Sequence, residues 1–135
     1  MVKTVFLRIV FIALAISLSI PSMAQSSKEN GENFIDALFS EQYDKALTYI
    51  DSSIKQQVNK ETLEKSLTAL NKQVGKFKQV SDIRSGEEEP FELIFYLCEF
   101  EKAKLDMQIA FNASNKIVGF YFLPPAQADA KKKDQ

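Results

Sequence analysis

The chain has no histidine. That removes the commonest general base and the commonest metal ligand at neutral pH. Ser-His-acid and Cys-His machinery cannot be assembled. There is a single cysteine, Cys98, so no disulfide can form within the chain, and no Cys/His cluster exists for zinc. Cys98 sits in an apolar, strand-like stretch and reads as a small buried hydrophobe, with an intermolecular disulfide as the lesser alternative. The four glycines are dispersed, which excludes a glycine-rich phosphate loop. Net charge is also small: 17 basic residues face 18 acidic ones. The one basic run, Lys131-Lys132-Lys133, lies in a polar tail. A nucleic-acid partner, which wants a concentrated basic surface, is not expected.

What is present begins with a leader. Lys3 and Arg8 flank or enter an apolar run from Val5 to Ile20. Pro21 breaks it, and Ser22 and Ala24 stand at the −3 and −1 positions of a secretory signal peptide. The run is shorter than the ~20 residues a membrane span needs and carries Arg8, Ser17 and Ser19. Cleavage after Ala24 is expected, giving an exported protein, periplasmic or secreted, with no stable membrane anchor. No cysteine follows the run to carry a lipid. Lys3 and Arg8 leave with the leader and no acid does, so the remainder has 15 basic and 18 acidic residues and net charge −3. We expect a signal peptide over 1–24, a flexible polar lead-in over 25–31, one domain over 32–125 and a polar tail over 126–135.

Within the domain the hydrophobic period first suits helices. Phe34, Ile35, Leu38 and Phe39 share one side, and Tyr43, Ala46, Leu47 and Ile50 form a second stripe. Asp51-Ser52-Ser53 has capping chemistry, and Ile54 and Val58 suggest another turn or two. Leu63, Leu67, Leu70 and Val74 define the clearest helix, with Asn59 as N-cap and Gly75 just past its end. The period then changes to two. A polar edge strand is predicted from Lys76 to Arg84, followed by an acidic loop, Ser85 to Pro90. A strong strand runs from Phe91 to Phe100, and a third, one face wet, from Lys104 to Phe111. Asn115 is suited to positive φ in a short hairpin loop. A last strand runs from Lys116 to Leu123 and stops at Pro124-Pro125. Helices followed by antiparallel strands make an α+β fold.

Three stretches resemble a family of small exported bacterial domains of unknown function, sometimes found in front of α/β-hydrolase-type enzymes: FIDALFSEQYDKALTYID, LEKSLTALNKQVGKFKQV and MQIAFNASNKIVGFYFLP. The resemblance implies N-terminal helices packed on a curved four-stranded antiparallel sheet, the cone shape of the nuclear transport factor two-like superfamily. Such domains often carry Trp where this chain has Leu67. Some cone-fold enzymes pair a pocket Asp with a Tyr donor. The matching candidates here are Asp106, Glu99, Tyr43, Tyr49, Tyr96 and Tyr121. Asp106, between Lys104 and Gln108, reads as a solvated strand residue, and Glu99 as a wet rim residue. The tyrosines read as core or rim residues. No catalytic, cofactor or metal residues are assigned. Glu87-Glu88-Glu89 lacks the oxygen spacing of a calcium loop. Asn112 begins a glycosylation sequon but has a turn to make.

The second and fourth strands are apolar on both faces, and helices can cover only one. Which face turns inward is open at this point. The residues put forward for an interface are Ile94, Tyr96, Phe100, Val118, Phe120 and Phe122. A sheet-to-sheet homodimer, or an unknown protein partner, is the expected cover. The rival is a small apolar ligand inside the cone, with Phe77, Phe95, Phe111 and Tyr121 as pocket candidates. With 11 Phe in the chain, a filled interior is favoured over a cavity. An Asp/Tyr enzyme ranks third.

Overall fold

The computed structural model describes residues 23–125. The expected signal peptide, apart from its last two residues, and the tail lie outside the described residues. The order is α1 (Met23–Phe39), α2 (Tyr43–Leu47), a 3-10 turn (Ser52–Ile54), α3 (Lys60–Val74), then β1 (Phe77–Glu88), β2 (Phe91–Phe100), β3 (Lys104–Phe111) and β4 (Ile117–Leu123). The strands form one antiparallel meander in sequence order, so β1 and β4 are the edges. The α+β expectation is met.

Helix α3 has the expected ends. The Asn59 side chain accepts from the Thr62 N–H, and the Thr62 side chain accepts in return from the Asn59 N–H. Gly75 ends the helix at φ 80°. There the β2–β3 turn docks: the Lys102 N–H donates to the Val74 carbonyl at 2.9 Å, satisfying a terminal helix acceptor. Asn115 has φ 61°, and Asn112 Oδ1 accepts from the Ser114 and Lys116 N–H groups, closing the β3–β4 loop. The Asn112 amide oxygen is thus spent on the turn, and its amide nitrogen donates to Asp51.

Two expectations are corrected. The stretch 25–31 is not a loose lead-in, because α1 already begins at Met23. Tertiary contacts hold it where no apolar period does. Ser27 is buried and donates to Asn115 Oδ1 at 2.7 Å, and Asn30 donates to the Asn115 carbonyl. The Tyr96 hydroxyl donates to the Lys28 carbonyl at 2.9 Å, beneath Gly31. The acidic loop is also shorter than expected. Strand β1 runs on to Glu88, paired with Phe91, and only Glu89-Pro90 turn.

All the helices lie on one side of the sheet. Phe34, Ile35, Leu38, Leu63 and Leu67 form one cluster with Ile94, Tyr96, Cys98, Phe100, Met107, Ile109 and Phe111. At one end Phe39 stacks on Phe77 at 4.3 Å and meets Phe100 and Phe122 edge-on. This is a filled interior, as the aromatic content suggested.

Candidate functional site: the outer face of the sheet

Alternation in β2 puts Ile94, Tyr96, Cys98 and Phe100 under the helices and Leu93, Phe95 and Leu97 on the opposite side. In β4 a register irregularity falls between Ala110 and Phe111, leaving Val118 without a pairing partner. The bulge resets the alternation. Ile117 therefore joins Phe120 and Phe122 on the core side, while Gly119, Tyr121 and Leu123 pair with the outer residues Ala110, Gln108 and Asp106. An uninterrupted alternation would set Ile117 on the face opposite Phe120.

The interface candidates are corrected accordingly. Ile94, Tyr96 and Phe100 are buried beneath the helices, and Phe120 and Phe122 pack against that core. Phe120 meets the Phe34 ring at 5.3 Å. Val118 is a half-buried bulge residue. The pocket candidates do not converge. Phe111 is core, Phe77 stacks at the aromatic end, and Phe95 and the exposed Tyr121 stand on the outer face. Concavities elsewhere include a groove of about 620 Å³ along the charged side of α3, near Glu61 and Lys65, and a cleft of about 460 Å³ beside Phe39, Tyr43 and Phe77.

What the outer face carries is an apolar row crossed by an ion pair. Leu93, Phe95, Leu97, Tyr121 and Leu123 are all outside the core cluster; Leu93 is buried, Phe95, Leu97 and Leu123 are half-buried and Tyr121 is exposed, and no described helix packs over them. From β1, Arg84 reaches across β2 to Asp106 on β3. Its guanidinium lies 5.7 Å from the centre of the Phe95 ring, a cation–π contact. Beneath it Asp106 is 1% exposed, so it is not the solvated residue its neighbours suggested. Its Oδ1 accepts from Arg84 Nη2, while Oδ2 and Arg84 Nε have no hydrogen-bond partner. The nearest further charge is Asp82, whose Oδ2 is 3.5 Å from Nε. Nothing in the sequence marked this pair, because the two residues are 22 positions apart on different strands.

The other ionisable groups do not gather around Asp106. Glu99 pairs with Lys104 at 3.1 Å and accepts from Gln79. These bonds, Gln79 first, hold its carboxyl below the usual range. Tyr43 and Tyr96 are core residues, and burial pushes both hydroxyls up. Burial, with the Asp106 charge adding to it, pushes the Cys98 thiol up to about 12, so it carries little thiolate at neutral pH. Among the described residues no group of three or more His, Cys, Asp or Glu side chains is placed to hold a metal ion.

Comparison with known proteins agrees with this architecture. The model of a family described as protein of unknown function (DUF3887) matches residues 31–120. The chain belongs to the DUF3887 family. The match begins at Gly31 and ends at Phe120, so it takes in α1 from Gly31 on, the other helices and most of the sheet. The DUF3887 chain is also similar to a solved structure, the NMR structure of a protein from Ruminococcus gnavus ATCC 29149. The identity is 15%, the TM-score is 0.54, and the likeness covers 74% of this chain and 90% of that one. At that identity the likeness speaks to fold alone. No curated protein matches the chain.

Proposed function

We propose that this DUF3887 protein is an exported, non-catalytic interaction domain that associates with itself through the outer face of its sheet. The observation that carries this is the apolar row Phe95, Leu97, Tyr121 and Leu123, half-buried or exposed, over which no described helix packs. Uncovered apolar surface of this kind usually marks an interface. A second copy is taken as the cover because the face is mainly apolar: Arg84 lies against Asp82 and Asp106 and Lys104 against Glu99, leaving a small negative excess rather than a charged patch that calls for a partner of opposite sign. Export to the periplasm or beyond rests on the basic, apolar and small-residue order of residues 1–24. Placement among cone-shaped folds, and the link to hydrolase-fused relatives, rest on the sequence resemblance. Helices over one face of an antiparallel sheet accord with that placement.

The test is sedimentation equilibrium on the exported protein and on Phe95→Glu. The new carboxylate keeps a partner in Arg84 but sets a charge in the middle of the face. The wild type should associate. The variant should keep its circular dichroism spectrum while its dissociation constant rises by about tenfold or more, the equivalent of about 1.4 kcal/mol. A wild type that stays monomeric up to about 1 mM would sink the proposal.

A further inference from the structure

The two edges of the sheet differ in chemistry. Edge strand β1 carries Lys78, Asp82, Arg84 and Glu88 and has two register irregularities, the usual protection against unwanted strand pairing. Edge strand β4, Ile-Val-Gly-Phe-Tyr-Phe-Leu, has no charge and no proline over Ile117–Leu123. Among the described residues, its free edge is engaged only at its first residue. The Ile117 N–H donates to the Tyr49 carbonyl at 2.9 Å, and the Asp51 N–H donates to the Ile117 carbonyl at 2.8 Å. Beyond Ile117, from Val118 to Leu123, no described residue other than those of β3 bonds the backbone. An uncharged, aromatic strand with an open row of backbone donors and acceptors is a template for another strand.

We infer that β4 is a strand-pairing site whose occupant is the β4 of a second copy, antiparallel about a two-fold axis near Phe120 and Tyr121, joining two sheets into one of eight strands. Two arguments select a second copy. Identical strands without charge have nothing to repel, whereas β1 paired with itself would set like charges near one another. The residues after Pro125 are another source of a strand. The stretch directly after Pro125 reads AQADAKKKDQ. It has no β-branched or aromatic residue and holds three consecutive lysines, so it lacks strand chemistry. Pairing also gives the half-buried Phe120 and Phe122 and the exposed Tyr121 cross-strand neighbours. This contact lies in the plane of the sheet, while the outer-face contact lies along its normal. The two are independent, and both can exist in a tetramer with perpendicular two-fold axes.

The experiment is amide hydrogen exchange by NMR at Val118 to Leu123, on the full exported chain over a range of concentration. In a lone edge strand, alternate amides point to solvent and exchange freely. In a strand paired on both sides, all are protected. We expect the outward amides to gain at least about tenfold protection as the protein associates and to lose it on dilution. Phe95→Glu should retain that gain, since it alters the face and not the edge. An associated protein whose alternate β4 amides still exchange freely would overturn the edge inference and leave the outer-face reading intact. Protection that persists in the dilute monomer would overturn it by giving the edge to the chain's own tail. A monomer at every concentration would overturn both.

Discussion

Asp106 shows how far one residue can depart from its sequence neighbourhood. Flanked by Lys104 and Gln108 on the polar row of β3, it is nonetheless buried, because Arg84 lies over it from two strands away. A carboxylate in that position is costly to strand. Asp106→Ala leaves the Arg84 guanidinium, only partly exposed, without its principal partner. The expected loss is about 1–3 kcal/mol in urea unfolding. Replacing both, Arg84→Met with Asp106→Leu, should return stability to within about 1 kcal/mol of wild type or above it, since matched apolar groups need no compensation. If the double variant is as unstable as the single one, the pair is not an independent unit.

At the scale of elements, α1 depends on a close approach that no pattern of apolar residues signals. Gly31 faces Tyr96, and a Cβ there would overlap the hydroxyl and come within 2.5 Å of Cζ. The ring cannot withdraw, being 0% exposed. Gly31→Ala should therefore lower stability by about 1–3 kcal/mol, outweighing the roughly 1 kcal/mol by which Ala is the better helix former. Scanning calorimetry would register this as a lower Tm. Adding Tyr96→Phe, which removes the overlapped oxygen, should restore part of it. A Gly31→Ala protein as stable as wild type would mean that α1 is not seated on Tyr96.

Across the whole molecule, Asp51 ties the helical layer to the far hairpin. Its carboxylate accepts from the Ser53 N–H at 3.0 Å and from the Asn112 amide at 3.1 Å, while its own N–H bonds Ile117. These bonds, Ser53 first, hold the carboxyl below its ordinary range. A depressed folded value means stability that is present above the ordinary carboxyl range and lost as pH falls through the folded value. Glu99 adds a contribution of the same sign. Urea midpoints should thus be flat near neutrality and fall below about pH 4. In Asp51→Asn the acid-side fall should be shallower. An identical fall in both proteins would remove Asp51 from the acid response.

The sequence by itself determined the elements whose causes are local. The ends of α3 follow from Asn59, Thr62 and Gly75, and the meander follows from strands joined by connections too short for any other topology. The polar edge of β1 was equally plain. The tertiary structure alone decided which apolar row meets the helices, since β2 is apolar on both faces and a period of two is blind to direction. It also placed the bulge at Val118, which moved Ile117 into the core row and left Tyr121 outside. The first two turns of α1 and the burial of Asp106 rest on partners 68 and 22 residues away. Contacts at that separation leave no periodic trace in a chain, so the site on the outer face could be read only once the strands were laid side by side.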